Sequence, residues 1–395
     1  MNIYPRRIFS SLKLTLEDDR VVVLTGMRRV GKTTAARWLL NQMPTENKVY
    51  FDLERLDQRV LFQENNYEVI ADALRNRGLD LAKFCCVAID EIQYVPNIPS
   101  VVKYLYDTYR IKFILTGSSS FYIKNYFTES LAGRKTVFEL FPLTFGELLA
   151  FRQIKIRERK NLSEMIFDRN EYDRLKSPYE EFIQFGGFPD VVLESSFEKK
   201  KIILNDILSS YFNIDVRTMT DFQKIAELQQ ILKVLAARIG SKIDNSKLAT
   251  IVGISRPTLA QYLEFLEKTY LIKRLPAFTS SDRASAVSKK LYFYDNGIAN
   301  TFSNIGEGAL FENAIFTQLH HYGKLCYLAS RDDEVDFILS TENKNIGLEV
   351  KTHPFSSDAD RLKRLATKNG LQSSFLIGRN PSRDFLDFIW GGFLV

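Results

Sequence analysis

The sequence predicts an α/β protein of several domains: a parallel-sheet domain first, then a helical region, a helix-turn-helix segment and a second α/β domain. Three observations carry this. The chain has 395 residues, too many for one compact core. Its first third alternates short apolar runs, ending in glycine-rich or acidic residues, with helical stretches, as a parallel sheet requires. Its last quarter places a helix before a strand and a β-hairpin, after a middle stretch dominated by helical patterning.

Composition narrows the class. The chain is 45% hydrophobic and 26% charged, which is globular. Lys and Arg outnumber Asp and Glu by 54 to 48, a mildly basic balance that permits a nucleic-acid partner without requiring one. Basic clusters at Arg6-Arg7, Arg157 to Lys160, Lys199 to Lys201 and Lys289-Lys290 each read first as solvated faces. The three cysteines, Cys85, Cys86 and Cys326, form no disulfide framework and have no zinc-ligand spacing with the three histidines. With no apolar run near the ~20 residues that span a bilayer, the expectation is a cytoplasmic protein with no membrane partner.

The first apolar run, Val21 to Thr25, leads into Gly26-Met27-Arg28-Arg29-Val30-Gly31-Lys32-Thr33, with helical character following. Strand, glycine loop and helix in this order make a phosphate cradle. Gly26 and Gly31 allow the tight turn, and the amides of Arg28, Arg29, Val30 and Thr34 fall around the phosphates. Lys32 neutralises the β- and γ-phosphates, and the Thr33 hydroxyl ligates Mg²⁺ at a helix N-terminus. A second run, Phe84 to Ile89, closes on Asp90-Glu91. Asp90 would hold Mg²⁺ through water, and Glu91 would orient and deprotonate the attacking water. A third, Ile111 to Leu115, ends in Thr116-Gly117-Ser118-Ser119-Ser120, where Thr116 or Ser118 could sense the γ-phosphate and Thr116 is preferred. Lys48 to Leu53 and Thr136 to Leu140 complete the sheet. ATP and Mg²⁺ are the expected ligands.

In the middle, Tyr179 to Phe185 reads as a helix stopped by Gly186-Gly187, and Arg217 and Arg238 are candidates for nucleotide contact that no spacing separates. Leu228 to Ile239 is an amphipathic helix, Asn245 caps a short helix ending at Gly253, and Ser255 caps a longer one with Pro257 in its first turn. An extended Leu271 to Leu275 follows, completing a winged helix-turn-helix. Its recognition helix would present Arg256, Thr258, Gln261 and Phe265 to DNA, although Glu264 and Glu267 lie near the same surface and would repel phosphates. Winged helices also dock proteins, which keeps that alternative open.

Lys290 to Asp295 reads as a strand entering the last domain, and Gly308 to Tyr322 as a helix carrying Glu312. In the hairpin of Glu334 to Leu339 and Ile346 to Lys351, strand periodicity puts Glu349 and Lys351 on one face, with Asp336 on the neighbouring strand. Two carboxylates and a lysine on adjacent strands suit a metal-dependent nuclease. Asp336 and Glu349 would hold Mg²⁺, Lys351 would position the attacking water, and Glu312 would complete a second metal site. A lone Glu-x-Lys is equally a salt-bridged pair on an exposed strand.

Gly26 to Thr33, Asp90-Glu91-Ile92-Gln93, Thr116-Gly117-Ser118, Leu131-Ala132-Gly133-Arg134 and Gly186-Gly187-Phe188-Pro189 together resemble the prokaryotic AAA-superfamily ATPases, in the type with a separate C-terminal domain. The resemblance implies that Arg134 acts as an arginine finger on a neighbouring copy's nucleotide in a homo-oligomer. A surface arginine closing a helix is the competing reading. The order Glu312, Asp336, Glu349-x-Lys351 resembles the PD-(D/E)xK restriction-endonuclease-like superfamily, with Glu334-Val335 where a proline is common. The expected organisation is an ATPase domain over 1–145, a helical lid over 146–222, a winged helix over 223–285 and a nuclease-like domain over 286–395. The expected function is ATP binding and hydrolysis coupled to DNA binding, with metal-dependent DNA cleavage by the nuclease-like domain as its stronger form. The alternative is an ATP-dependent DNA-binding or protein-remodelling switch whose C-terminal domain is catalytically silent.

Overall fold

The computed structural model describes residues 3–118, 131, 133–157, 159, 161–216, 225–278, 288–329, 333–342 and 344–394. The chain forms two compact units. The first comprises Met1–Phe141, Ser210–Asp221 and Lys268–Tyr270, and the second Pro142–Ser209, Phe222–Glu267 and Leu271–Val395. This division cuts the chain differently from the four expected segments.

The first unit runs α1 (Ile8–Lys13), β1 (Val21–Gly26), α2 (Lys32–Gln42), β2 (Lys48–Asp52), α3 (Leu56–Phe62), α4 (Tyr67–Asn76), β3 (Cys86–Asp90), α5 (Ile98–Tyr109), β4 (Lys112–Gly117) and β5 (Lys135–Leu140). The strands form one parallel sheet in the order β2-β3-β4-β1-β5. Every residue of β1, β3 and β4 is buried, because central strands of a parallel sheet are covered on both faces. That explains why their sequences are continuous apolar runs, whereas the edge strands β2 and β5 are only partly buried. The chain leaves β1 towards one side of the sheet and later crosses β1 to reach β5 on the other. The loop after β1 therefore lies where the strand order reverses, at the carboxyl ends of the strands.

The second unit contains α6 (Phe145–Phe151), α7 (Arg169–Phe185), α8 (Pro189–Leu193), α9 (Phe197–Ser210), α10 (Ile225–Ala236), α11 (Asn245–Val252) and α12 (Arg256–Lys268), up to their unit boundaries. It continues with β6 (Ile272–Leu275), β7 (Lys290–Phe293), α13 (Asn296–Phe302), α14 (Glu307–Leu319), β8 (Lys324–Ala329), β9 (Glu334–Ser340), β10 (Asn345–Lys351), α15 (Ser356–Lys368), β11 (Ser373–Gly378) and β12 (Ile389–Trp390). A mixed sheet has the order β12-β11-β10-β9-β8, with β8, β9 and β10 antiparallel and β11 and β12 parallel to β10.

Three expectations change here. The helix before Gly186 begins ten residues earlier than Tyr179, where the Asp168 side chain caps the amides of Asn170 and Glu171, and it carries Pro178 inside it, where the ring removes one rung of the ladder and crowds the carbonyl four residues before it. Asp244, not Asn245, caps α11. Lys290 to Phe293 does not enter the last sheet: β7 pairs antiparallel with β6, making a hairpin after α12. A single bridge, Lys242 to Lys290, extends that pairing.

The Gly186-Gly187 stop is imposed by close packing. A Cβ on Gly187 would stand 2.0 Å from the Leu143 carbonyl oxygen, and one on Gly186 2.2 Å from the Asp295 carboxylate. The Gly187 amide donates to Asp295 at 2.7 Å, and the Leu143 amide donates to the Gly187 carbonyl at 2.6 Å. Asp295 is buried, which pushes its carboxyl up to about 7. Asn313 and Asn296 continue this polar seam, with Asn313 bonded to both backbone groups of Phe293. Gly187→Ala is therefore expected to cost about 1–3 kcal/mol, the usual penalty of overpacking, read as a lower urea midpoint at unchanged slope; an unchanged midpoint would show that Leu143 yields freely.

Candidate nucleotide site and a buried carboxylate cluster

Because all five strands of the first unit run the same way, the carboxyl ends of β1, β3 and β4 meet at one edge. The loop after β1 turns through positive φ at Gly26 (149°), Arg29 (61°) and Gly31 (99°). Gly26 has no alternative, since a Cβ there would lie 2.1 Å from the Leu140 carbonyl oxygen. Gly31 is needed for its backbone, not its space: the nearest atom to a Cβ is 3.7 Å away. Arg6 braces the loop, donating to the carbonyls of Val30 and Phe141 at 2.8 Å each. Lys32 is buried, and its ammonium donates to the carbonyls of Gly26 and Met27 at 3.1 and 2.8 Å. Burial lowers its pKa, and Glu91 and Asp215 oppose that shift. Thr34 follows Thr33 in the first turn of α2, and both are half-buried.

Asp90, at the end of β3, is the hub of this edge. It accepts from Thr33 Oγ1 at 2.7 Å, from Tyr50 Oη at 2.5 Å and from Thr116 Oγ1. Thr116 in turn accepts from the Glu91 amide at 3.1 Å, which holds Glu91 in a left-handed conformation (φ 54°). The Glu91 carboxylate accepts from Gln93. Burial, then the bond to Asp90, raises the Tyr50 pKa far above its ordinary value, keeping it a donor.

Arg28 leaves the loop on a different course. Its Nε lies 3.2 Å from Asp215, its Nη1 3.3 Å from Glu54, and its Nη2 4.0 Å from Glu91. Ser118 donates to the same Asp215 oxygen at 2.8 Å. Neither Asp215 nor Tyr50 was predicted. Asp215 had no signal, being one acid in an unpunctuated helical stretch; Tyr50 could have been suspected as a polar-tipped residue on the strand beside β3. Arg134 immediately precedes β5, so roughly 20 Å of strand, at about 3.3 Å per residue, separates it from the loop end of the sheet. It pairs with Asp107 at 3.3 Å. Ser119, Ser120, Ala132 and Arg217 lie outside the described residues.

In the second unit the four residues expected to make a metal site are placed differently. Among the described residues no three carboxylate, histidine or cysteine side chains converge so as to hold a metal ion. A lysine stands among the carboxylates instead: Lys290 Nζ is 2.7 Å from Glu334, 3.3 Å from Asp336 and 3.7 Å from Glu312. Tyr292 donates to Glu312 at 2.7 Å. Lys290 is only 2% exposed. Burial lowers its pKa, but Glu312, Asp336 and Glu334 outweigh this and raise it well above the usual range. Burial, then Asp336, raises Glu312 to about 7. Asp336 also accepts from the Val350 amide at 2.9 Å, while Glu349 binds Lys351 at 2.8 Å and Arg361 at 3.0 Å.

A match to the AAA domain covers residues 18–149, and matches to two domains of unknown function cover 176–308 and 307–387. The uncharacterized protein MJ1544 of Methanocaldococcus jannaschii is 30% identical over 85% of this chain and 75% of its own length. The chain belongs to its family. Its N-terminal part is an AAA-superfamily ATPase domain. An uncharacterized protein of Haemophilus influenzae is 25% identical over 85% of this chain and 83% of its own. Among solved structures, RuvB of Thermotoga maritima superposes with a TM-score of 0.30 at 17% identity, over 69% of this chain and 90% of that one.

Arg256, Gln261 and Glu264 are exposed on α12 and Thr258 is half-buried, but Phe265 is buried in the core and presents nothing to a groove. Glu267 is turned aside into an ion pair with Arg274 at 2.5 Å. Of the basic clusters, Lys200 is buried against Glu181 at 3.0 Å, Arg159 pairs with Glu171, and Lys290 serves the carboxylates. No helix among the described residues is long and apolar enough to cross a membrane, and all three cysteines are free and buried.

Lys290→Met should destabilise the protein by about 3–5 kcal/mol, the usual cost of stripping a buried ion pair of one partner. The sign with pH follows from Glu312. Its folded pKa already exceeds its unfolded one, and losing the ammonium raises it further, so the stability tied to its protonated form is retained at low pH and lost as pH rises through about 7. Thermal melts should show a larger deficit at pH 8 than at pH 5.5; an equal deficit would mean the carboxylates do not feel Lys290.

Proposed function

We propose that this protein is an ATP-driven switch: the first unit binds and hydrolyses ATP, the segment from α10 to β7 is a winged helix that contacts DNA, and the C-terminal domain keeps a nuclease-like fold without cutting. The observation that carries the ATPase reading is the set of Thr33, Asp90, Thr116 and Glu91 bonded to one another at one sheet edge, beside Lys32 of the phosphate loop. Lys32 and the amides of Arg28 to Thr34 bind the phosphates. Thr33 and Asp90, 2.7 Å apart, fit the paired hydroxyl and carboxylate that would hold Mg²⁺, which when bound neutralises phosphate charge. Glu91 orients and takes a proton from the attacking water, and Thr116 fixes it by holding its amide.

The winged-helix reading is supported by three helices followed by a hairpin, with the Lys242–Lys290 bridge as a short third strand. Arg256 and Gln261, exposed on α12, would meet DNA, and binding of that kind weakens steeply with salt. A silent C-terminal domain is favoured over a nuclease by Lys290: its ammonium already neutralises Glu312 and Asp336, and displacing it would expose a buried charge. Arg134 is too far from its own loop to serve it, so a finger role requires a second copy.

Glu91→Gln should retain ATP binding and hydrolyse about 10²–10⁴-fold more slowly, the usual contribution of a general base. Turnover equal to wild type would remove Glu91 from the mechanism. In the same assays Arg134→Ala should lower ATP turnover, and unchanged turnover would end the finger role. Metal-dependent DNA cutting by wild type, lost in Asp336→Ala, would restore the nuclease reading.

A further inference from the structure

Asp215 lies outside every motif, yet it is tied to the phosphate loop. After α9 the chain widens into a turn of π-helix, Tyr211–Val216, a geometry that inserts a residue and re-aims the side chains after it and that recurs at functional sites. Tyr211 anchors the turn, its hydroxyl 2.8 Å from that of Thr269, and Tyr211, Phe212, Asp215 and Val216 are buried. Asp215 is thereby delivered to Arg28 and Ser118, one on the phosphate loop and the other just past Thr116.

The electrostatics make this a contested position. Burial pushes the Asp215 carboxyl up, and Arg28, Ser118 and Lys32 resist that shift. Arg28 faces Asp215, Glu54 and Glu91 together; burial works to lower its pKa, but Asp215, Glu91 and the Tyr94 hydroxyl raise it overall. A γ-phosphate brings further negative charge to Lys32, within the field of Asp215, and a guanidinium prefers the forked geometry a phosphate offers. Two anions then compete for one cation, and a ligand shifts such an equilibrium only by its differential affinity for the two arrangements.

We infer that Asp215 is a nucleotide-sensing residue: the γ-phosphate of ATP competes with it for Arg28, loosening the Tyr211–Val216 turn, and ADP lets the contact re-form. This rests on the ATPase reading. The turn is continuous with α9, so its loosening reaches the end of that helix.

Hydrogen–deuterium exchange over residues 205–216 tests the inference, with wild type saturated by a non-hydrolysable ATP analogue or by ADP. Faster exchange with the ATP analogue is expected. Fluorescent-nucleotide titration of Asp215→Asn should show the preference for ATP over ADP rising at least about tenfold, as expected for removing a nearby charge in a partly buried site, with the exchange difference abolished. Ser118→Ala keeps the charge, removes one bond to it, and should speed exchange in the ADP state, which serves if Asp215→Asn does not fold. Wild type that binds both nucleotides with identical exchange overturns the sensor alone, as does an unchanged preference in Asp215→Asn. Folded wild type that binds neither nucleotide overturns the ATPase reading and the sensor together.

Discussion

Parallel alignment of β1, β3 and β4 is the constraint on which the nucleotide site depends. Fully buried strands running the same way must deposit their carboxyl ends together, with Thr25 opposite Gly117 and Asp52 opposite Asp90. Once that is so, a glycine turn after β1, an acid after β3 and a hydroxyl within β4 converge however far apart they stand in sequence. The bonds to Asp90 from Thr33, Tyr50 and Thr116 draw on three strands and one helix. None is local. The site is a product of the sheet's direction, and each hydroxyl is held by a backbone position that the core has already set.

The two units handle buried charge in opposite ways. In the first, Lys32 bonds among the described residues only to backbone carbonyls of its own loop, and a phosphate can replace such neutral acceptors with gain. In the second, Lys290 is surrounded by Glu312, Glu334 and Asp336, so its charge is satisfied by the fold itself. A buried cation with neutral partners is available to a ligand; one with three carboxylates is a structural tie between β7, α14 and β9. The same residue type therefore argues for ligand binding in one unit and against metal binding in the other.

Much of the first unit was legible because its signals are local: Gly26 and Gly31 mark a turn that only glycine serves, and Asp90-Glu91 follows an apolar run that can be little but a buried strand. The C-terminal set was legible only in part. Periodicity did place Glu349 and Lys351 on one face, and they bond at 2.8 Å. It could not show that Lys290, on a strand paired with Ile272–Leu275, would stand between Glu312 and Asp336, because that depends on a tertiary contact with no local pattern. Phe265 failed for a related reason. Helical spacing ranks residues by face, but α12 is covered over a wider arc than its leucines alone define, since Tyr262, Leu263, Phe265 and Leu266 are all buried. Asp215 was invisible because a π-turn shifts the phase of every residue after it.

The first unit is not a continuous stretch of chain. It is closed by Ser210–Asp221 and Lys268–Tyr270, each entered from a helix and left towards elements of the second unit. Both closures carry polar anchors: Asp215 to Arg28 and Ser118, Tyr270 to Glu139 at 2.9 Å, and Tyr211 to Thr269 linking the two segments. A domain completed by returning segments cannot change shape at its nucleotide edge without loading those segments. Of these anchors only Asp215 is bonded to a residue of the phosphate loop. The bonded path from the phosphate loop to the Tyr211–Val216 turn therefore passes through Asp215, a buried carboxylate whose partner cation a phosphate would also claim.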